Sequence, residues 1–285
     1  MSSESSGTGR QGAPCAGPEM AQRALATGEA KALLGALPTL VLAVLAGVYI
    51  GLGANFFTIV KTGNQIGFGL QQLLGGMAFS LGLILVVVGG AELFTGNTLL
   101  VMAWLSGRLR FIQVLRNWAL VYAGNFVGSV LLVWLVLAAG QHTLADGAVG
   151  QTVVKIAAAK CQLPFSVVFA RGVLCNALVC LAVWLCYSAC STTDKIVAIM
   201  LPITAFVAGG FEHCVANMYF IPLGIALCGP LPVDGAVAGV LTWGNFISAN
   251  LIPSTLGNIV GGAVMVGGLY WVAYVLPGLR PRGMQ

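Results

Sequence analysis

Between residues 37 and 274 the chain alternates long apolar stretches with short polar turns, and the length of each stretch carries the first signal. Leu37–Val60, Trp118–Ala139, Pro164–Tyr187 and Gly244–Tyr274 each suit a single membrane-crossing helix, which needs roughly 20 apolar residues. Two others do not fit one crossing so simply. Phe68–Leu105 is nearly twice that length, and Ile196–Cys228 is also long; each carries a Gly pair followed by polar residues near its middle. The first interior reads Gly89-Gly90-Ala91-Glu92-Leu93-Phe94-Thr95-Gly96-Asn97, the second Gly209-Gly210-Phe211-Glu212-His213-Cys214-Val215-Ala216-Asn217. A Gly pair can break a helix. Broken backbone at bilayer depth is tolerated only where protein buries it or water reaches it. The pattern therefore predicts an all-α membrane protein of six transmembrane helices, the second and fifth broken.

The two halves echo each other. Glu92 and Asn97 have the same spacing as Glu212 and Asn217, and Gly124-Asn125-x-Val127-Gly128 matches Gly257-Asn258-x-Val260-Gly261. Three crossings per half is an odd number, so the repeats are expected to be inverted in the membrane, aquaporin-like. Paired broken helices in such a repeat point to a midplane binding site.

The flanks and turns are polar. Residues 1–17, rich in Ser, Gly and Pro, read as a disordered tail with no apolar core of a signal peptide. Residues 18–34 suit a helix on the membrane surface that anchors or gates, 35–276 form the channel domain, and 277–285 a second tail. Residues 140–162, with His142, Asp146, Lys155 and Lys160, read as a polar loop. Orientation follows from the basic residues. Arg10, Arg23, Lys31, Arg108, Arg110, Arg116, Lys195, Arg280 and Arg282 fall on the side of the termini, against Lys61, Lys155 and Lys160, which places both termini in the cytoplasm. Trp118, Trp184, Tyr187, Tyr270, Trp271 and Tyr274 fall near the same helix ends, as an interfacial aromatic belt requires. Arg171, inside the fourth span, fits poorly and reads as a subunit contact or a snorkelling side chain rather than a pore residue.

Composition agrees. Of 285 residues 58% are hydrophobic and only 7% charged, against about 25% charged in a soluble domain. The net charge of +5 is scattered, so no nucleic-acid partner is implied. The eight Cys form no CxxC pair and no zinc spacing, and with two His the chain has no set of ligands for a metal, a haem or another cofactor. A membrane-bound redox subunit is thus a weak alternative, and no nucleotide motif suggests an enzyme. A water or glycerol channel has the right architecture, but Asn-Pro-Ala does not occur and a buried Glu-His pair is superfluous for a neutral solute.

His213 is the central candidate. An ionisable group at bilayer depth is expensive unless it serves a path, and an imidazole can donate to an anion or supply it a proton near neutral pH. Glu92 and Glu212 read as structural groups at the breaks, accepting from backbone N–H groups or binding the partner repeat, over a reading as proton relays. Asn97 and Asn217 would satisfy the broken ends.

These residues resemble the formate/nitrite transporter family over about residues 30–275. The resemblance rests on Ala91 to Asn97, on Gly210-Phe211-Glu212-His213 with Ala216-Asn217, and on Asn250-Leu251-Ile252-Pro253 through Gly257-Asn258. Within the family the chain is most similar to the formate channels, through Phe211-Glu212-His213, Ile221-Pro222-Leu223-Gly224 and Asn250 to Pro253. Thr95-Gly96-Asn97-Thr98 is closer to nitrite and general members. The resemblance implies a homopentamer of one-pore protomers in a bacterial inner membrane, passing a small anion, formate or nitrite, with or without a proton. It implies that His213 is flanked by Thr95 and Asn258. Leu93 and Phe206 would form the cytoplasmic-side constriction, Phe79, Leu83, Phe94 and Val179 would be apolar pore positions, and Lys160 would stand at the periplasmic entrance. Cys214, where the family usually has Ser or a similar residue, departs from the pattern.

Overall fold

A computed structural model describes residues 15–63 and 65–279. Most of the expected N-terminal tail, Arg10, Asn64 and the terminal Arg280 and Arg282 lie outside the described residues. The described chain is all-helical. Five helices are long and apolar enough to cross a membrane: α2 (Ala36–Lys61), α3 (Phe68–Gly89), α5 (Phe111–Ala138), α7 (Phe165–Ser188) and α11 (Trp243–Tyr274). The interrupted stretches are α3 followed by the short α4 (Phe94–Leu105), and α8 (Thr192–Ala208) followed by the short α9 (Cys214–Leu227).

Residues 140–162 are not the expected loop: Ala148–Cys161 is a helix, α6. Gly147 enters it with a left-handed φ of 84°, and Val149, Val153, Val154, Ala157, Ala158 and Cys161 recur at helical spacing on its buried face. The few charged residues had masked that stripe. Its counterpart is α1 (Gly17–Leu33), which buries Met20, Ala21, Ala24, Leu25, Gly28 and Ala32 on one face. Each repeat therefore opens with a shorter amphipathic helix ahead of its long ones, α1 in the first and α6 in the second. A six-residue helix, α10 (Gly235–Val240), lies in the second half between α9 and α11 and has no counterpart between α4 and α5 among the described residues.

Close backbone contact joins the long helices within each repeat. A Cβ on Gly128 would come within 2.0 Å of the Val44 carbonyl, and one on Gly261 within 2.2 Å of the Val173 carbonyl. The matched glycines thus let α5 lie against α2 and α11 against α7, as small residues do where helices pack without a hydrophobic drive. The aromatic residues expected as a belt partly turn inward: Trp184 is buried and stacks on Tyr270 at 4.0 Å, beside α1.

Candidate functional site

Both interruptions are built by one device. α3 and α8 end at Gly90 and Gly210, whose φ values of 72° and 67° only glycine adopts freely. The following N–H turns back over the last turn, from Ala91 to the Val86 carbonyl at 2.9 Å and from Phe211 to the Phe206 carbonyl at 3.1 Å. The chain then runs extended and re-enters a helix at Phe94 or Cys214.

One asparagine fastens each extended piece. Asn125 donates from Nδ2 to the carbonyls of Ala43 and Glu92, at 2.8 and 2.9 Å, and accepts the Phe94 N–H on Oδ1 at 2.9 Å. Asn258 donates to the carbonyls of Gly172 and Glu212, at 2.8 and 2.9 Å, and accepts the Cys214 N–H at 2.9 Å. In each set one carbonyl and one N–H belong to the break and would otherwise be left unpaired, while the other carbonyl lies in a neighbouring long helix, α2 or α7.

Each break also carries a buried ion pair. Glu92 meets Lys31 at 2.9 Å and Glu212 meets Lys160 at 2.9 Å. Asn97 donates to Glu92 at 2.6 Å and Asn217 to Glu212 at 2.7 Å. Asn117 and Asn250 close the rings by donating to the backbone carbonyls of Lys31 and Lys160, at 3.3 and 3.1 Å. The glutamates, at 4% and 2% exposure, hold lysines and asparagines of their own repeat rather than the backbone N–H groups or the partner repeat expected of them. A buried carboxylate needs such company, because an isolated one costs several kcal/mol.

On this duplicated frame the polar chemistry is lopsided. His213 caps α9, its Nδ1 accepting the Ala216 N–H at 3.1 Å, and its Nε2 lies 3.0 Å from Thr95 Oγ1. With Nδ1 occupied as acceptor, the neutral ring carries its proton on Nε2 and donates it to the Thr95 hydroxyl. Thr95 is fully buried, and its carbonyl is held by Asn176 Nδ2 at 3.2 Å. The positions matching His213 and Thr95 in the opposite repeat are Leu93 and Val215, both apolar. The two broken segments thus bring their helix N-termini together at a place where the frame's symmetry gives way to a polar pair.

Two cavities approach this point. The first, about 490 Å³, is lined by Leu83, Leu93, Glu92, Asn97, Lys31, Arg23 and Lys195 among others. The second, about 330 Å³, is lined by Phe79, Phe206, His213, Glu212, Asn217, Lys160, Lys61 and Arg171 among others. Phe79 and Phe206 meet edge to face at 5.5 Å, and Phe206 lies over the His213 ring at 6.0 Å.

The expected site residues distribute as follows. His213 and Thr95 touch, and Leu83, Leu93, Phe79 and Phe206 line the approaches. Leu93 and Phe206 do not close one constriction together: the structure puts Leu93 on the first cavity and Phe206 on the second. Phe94 packs on Tyr122 and Trp118, at 4.9 and 6.1 Å, and lines neither cavity; Val179 is likewise buried away from both. Asn258 spends its side chain on backbone groups. Lys160 is paired with Glu212 rather than free at an entrance. Arg171, which sequence reasoning set apart from the pore, lines the second cavity. Lys31, Asn117 and Asn176 went unrecognised as members of the site. The repeat itself held the signal for Lys31, whose helix stands in the place of the one bearing Lys160.

Comparison with known proteins fits this arrangement. The description "Formate/nitrite transporter" matches residues 18–272. "Formate channel FocA" of Escherichia coli (strain K12) is 42% identical over 268 residues, covering 90% of this chain and 93% of that protein. "Probable formate transporter" of Methanothermobacter thermautotrophicus is 42% identical over 269 residues, covering 88% and 93%. Among solved structures, "Pentameric formate channel with formate bound" superposes with a TM-score of 0.78 at 44% identity, covering 84% of this chain and 98% of that one. "FNT family ion channel" does so with a TM-score of 0.79 at 32% identity, covering 90% and 98%. The chain belongs to the formate/nitrite transporter family.

Proposed function

We propose that this chain is a channel for small monovalent anions, formate first, acting as a transporter and not as an enzyme. The single observation that carries the reading is the Thr95–His213 contact at 3.0 Å, made where two interrupted helices begin, with one cation-lined cavity reaching His213 and another ending at Leu93 and Gly96 beside Thr95. Helix N-termini present unpaired N–H groups and partial positive charge, which favours an anion. Lys31 and Lys160 place a cation on each approach, each balanced by its glutamate. The Leu83–Leu93 and Phe79–Phe206 positions are apolar, so a hydrated ion is excluded and the permeant must shed water.

An anion without partners in a low-dielectric medium costs many kcal/mol, whereas the neutral acid does not. At the midpoint the His213 Nε2–H can turn from the Thr95 hydroxyl to the permeant, and the Thr95 O–H can donate as well. These donors stabilise the anion; at lower pH the imidazolium form of His213 can instead pass it a proton and return to the neutral ring, which makes permeation depend on pH. In the same reading the protomers assemble as a homopentamer in a bacterial inner membrane. The termini are cytoplasmic, the first cavity opens to the cytoplasm and the second to the periplasm. The relatives' names and the ring of formate-type motifs around Glu212 and Asn250 support formate. Nitrite is the second reading, favoured by Thr95-Gly96-Asn97-Thr98.

Uptake of labelled formate against nitrite into liposomes at two pH values tests this. Saturable formate uptake that rises at the lower pH is expected. Liposomes that take up neither anion above protein-free controls would refute the channel reading.

A further inference from the structure

The second cavity holds three cations, Lys61, Lys160 and Arg171, and one carboxylate, Glu212. Only Lys160 is paired with it; among the described residues neither Lys61 nor Arg171 has a carboxylate within ion-pair distance. Arg171 sits on α7 at the level of the break. Its own carbonyl accepts the Glu212 N–H at 3.4 Å, so it is directly joined to the residue preceding His213. One guanidinium nitrogen, Nη1, donates to the Gly210 carbonyl at 3.3 Å, at the end of α8. Gln72 Nε2 covers the neighbouring Ala208 carbonyl at 2.9 Å, and Lys61 Nζ in turn bonds the Gln72 amide oxygen. A helix C-terminus is the negative end of its dipole and would repel an anion. Here it faces the cavity covered by an amide and a guanidinium.

The frame does not require this arginine. In the first repeat the carbonyl that accepts the matching Glu92 N–H belongs to Leu42, an apolar residue. An arginine in the spanning part of α7 therefore answers a need of the second cavity alone. A guanidinium has five N–H donors in a planar fork that matches a two-oxygen anion, and among the described residues this one makes a single hydrogen bond, to the Gly210 carbonyl.

We propose that Arg171 is an anion-capture residue of the second cavity, holding a carboxylate-like anion outside the Phe79–Phe206 pair before it reaches His213, with Lys61 as an outlying cation. It deepens the channel reading and rests on it. The residue raises occupancy on the approach and leaves the central passage unchanged.

The test is concentration-dependent uptake of labelled formate into proteoliposomes of wild type, Arg171→Leu, Arg171→Lys and Lys61→Gln. At about 0.01 M ionic strength, where charges act over about 30 Å, Arg171→Leu is expected to raise the half-saturating formate concentration about five-fold; near 1 M the difference collapses. The maximal rate stays within about two-fold, by the same capture reasoning. Arg171→Lys keeps the charge without the fork and falls between, and Lys61→Gln shows a smaller shift of the same sign. Unchanged half-saturation in the leucine variant overturns the proposal. So does a lower maximal rate at unchanged half-saturation, the mark of a helix-end cap alone. If the leucine variant does not assemble, the lysine and Lys61 variants decide by the same criteria. Should wild type pass nitrite but no formate, the substrate reading fails, and the capture comparison is made with nitrite.

Discussion

Asn125 and Asn258 make the same three hydrogen bonds in opposite halves of the molecule, each tying one carbonyl and one N–H of a broken segment to a carbonyl of the long helix beside it. That equivalence separates what holds the breaks open from what acts on the permeant. Asn258, implied by family resemblance to flank the pore histidine, has no donor left for an anion in this arrangement.

The first expected outcome follows directly. Asn258→Ala strands two buried backbone groups of the break, the Glu212 carbonyl and the Cys214 N–H, at about 1–3 kcal/mol each. Loss of oligomer and lower thermal stability in detergent are expected, as they are for Asn125→Ala. An Asn258→Ala channel of normal stability with lost formate selectivity would show that the amide serves the permeant instead.

The two lysine–glutamate pairs lead to a second. Removing one partner leaves a buried charge uncompensated, at about 3–5 kcal/mol, discounted here because the Lys160 side chain is 16% exposed. Lys160→Met and Glu212→Gln are each expected to lower the unfolding temperature. The double variant should lose less than the two together, which a double-mutant cycle measures; strict additivity would mean that the pair is not coupled.

The third concerns the turn at Gly210. With φ at 67°, Gly210→Ala costs about 1–2 kcal/mol from the left-handed backbone alone. A thermal shift of a few degrees downward is expected, with Gly90→Ala behaving alike. A neutral or stabilising effect at both positions would rule out the matched left-handed ends.

Much of this was legible in the sequence, and the reasons differ by residue. The breaks announced themselves because Gly-Gly followed by Glu inside an apolar run has few physical explanations. The repeat was visible in Glu-to-Asn and Gly-Asn spacings. What stayed hidden required knowing which helix lies beside which break. Lys31 looked like a surface charge because nothing local shows that it reaches Glu92. Residues 140–162 read as loop because a half-buried helix of small residues carries a weak pattern. Arg171 looked misplaced because its cavity is lined by six helices, from α2 to α9, that local sequence does not bring together.

A fourth outcome separates shape from hydrogen bonding at the centre. Thr95→Val keeps the volume and removes the hydroxyl, so His213 Nε2–H loses its partner. Formate flux is expected to fall at least ten-fold with the oligomer intact, whereas Thr95→Ser should retain most of it. Equal flux in the valine and serine variants would remove the hydroxyl from the path.

The most direct measurement is formate uptake by His213→Phe, reconstituted beside wild type at two pH values and checked for intact oligomer. Wild-type uptake is expected to change with pH, and the phenylalanine variant to lose that uptake while remaining assembled. Uptake by an intact phenylalanine variant that matches wild type at both pH values would contradict the central role of His213.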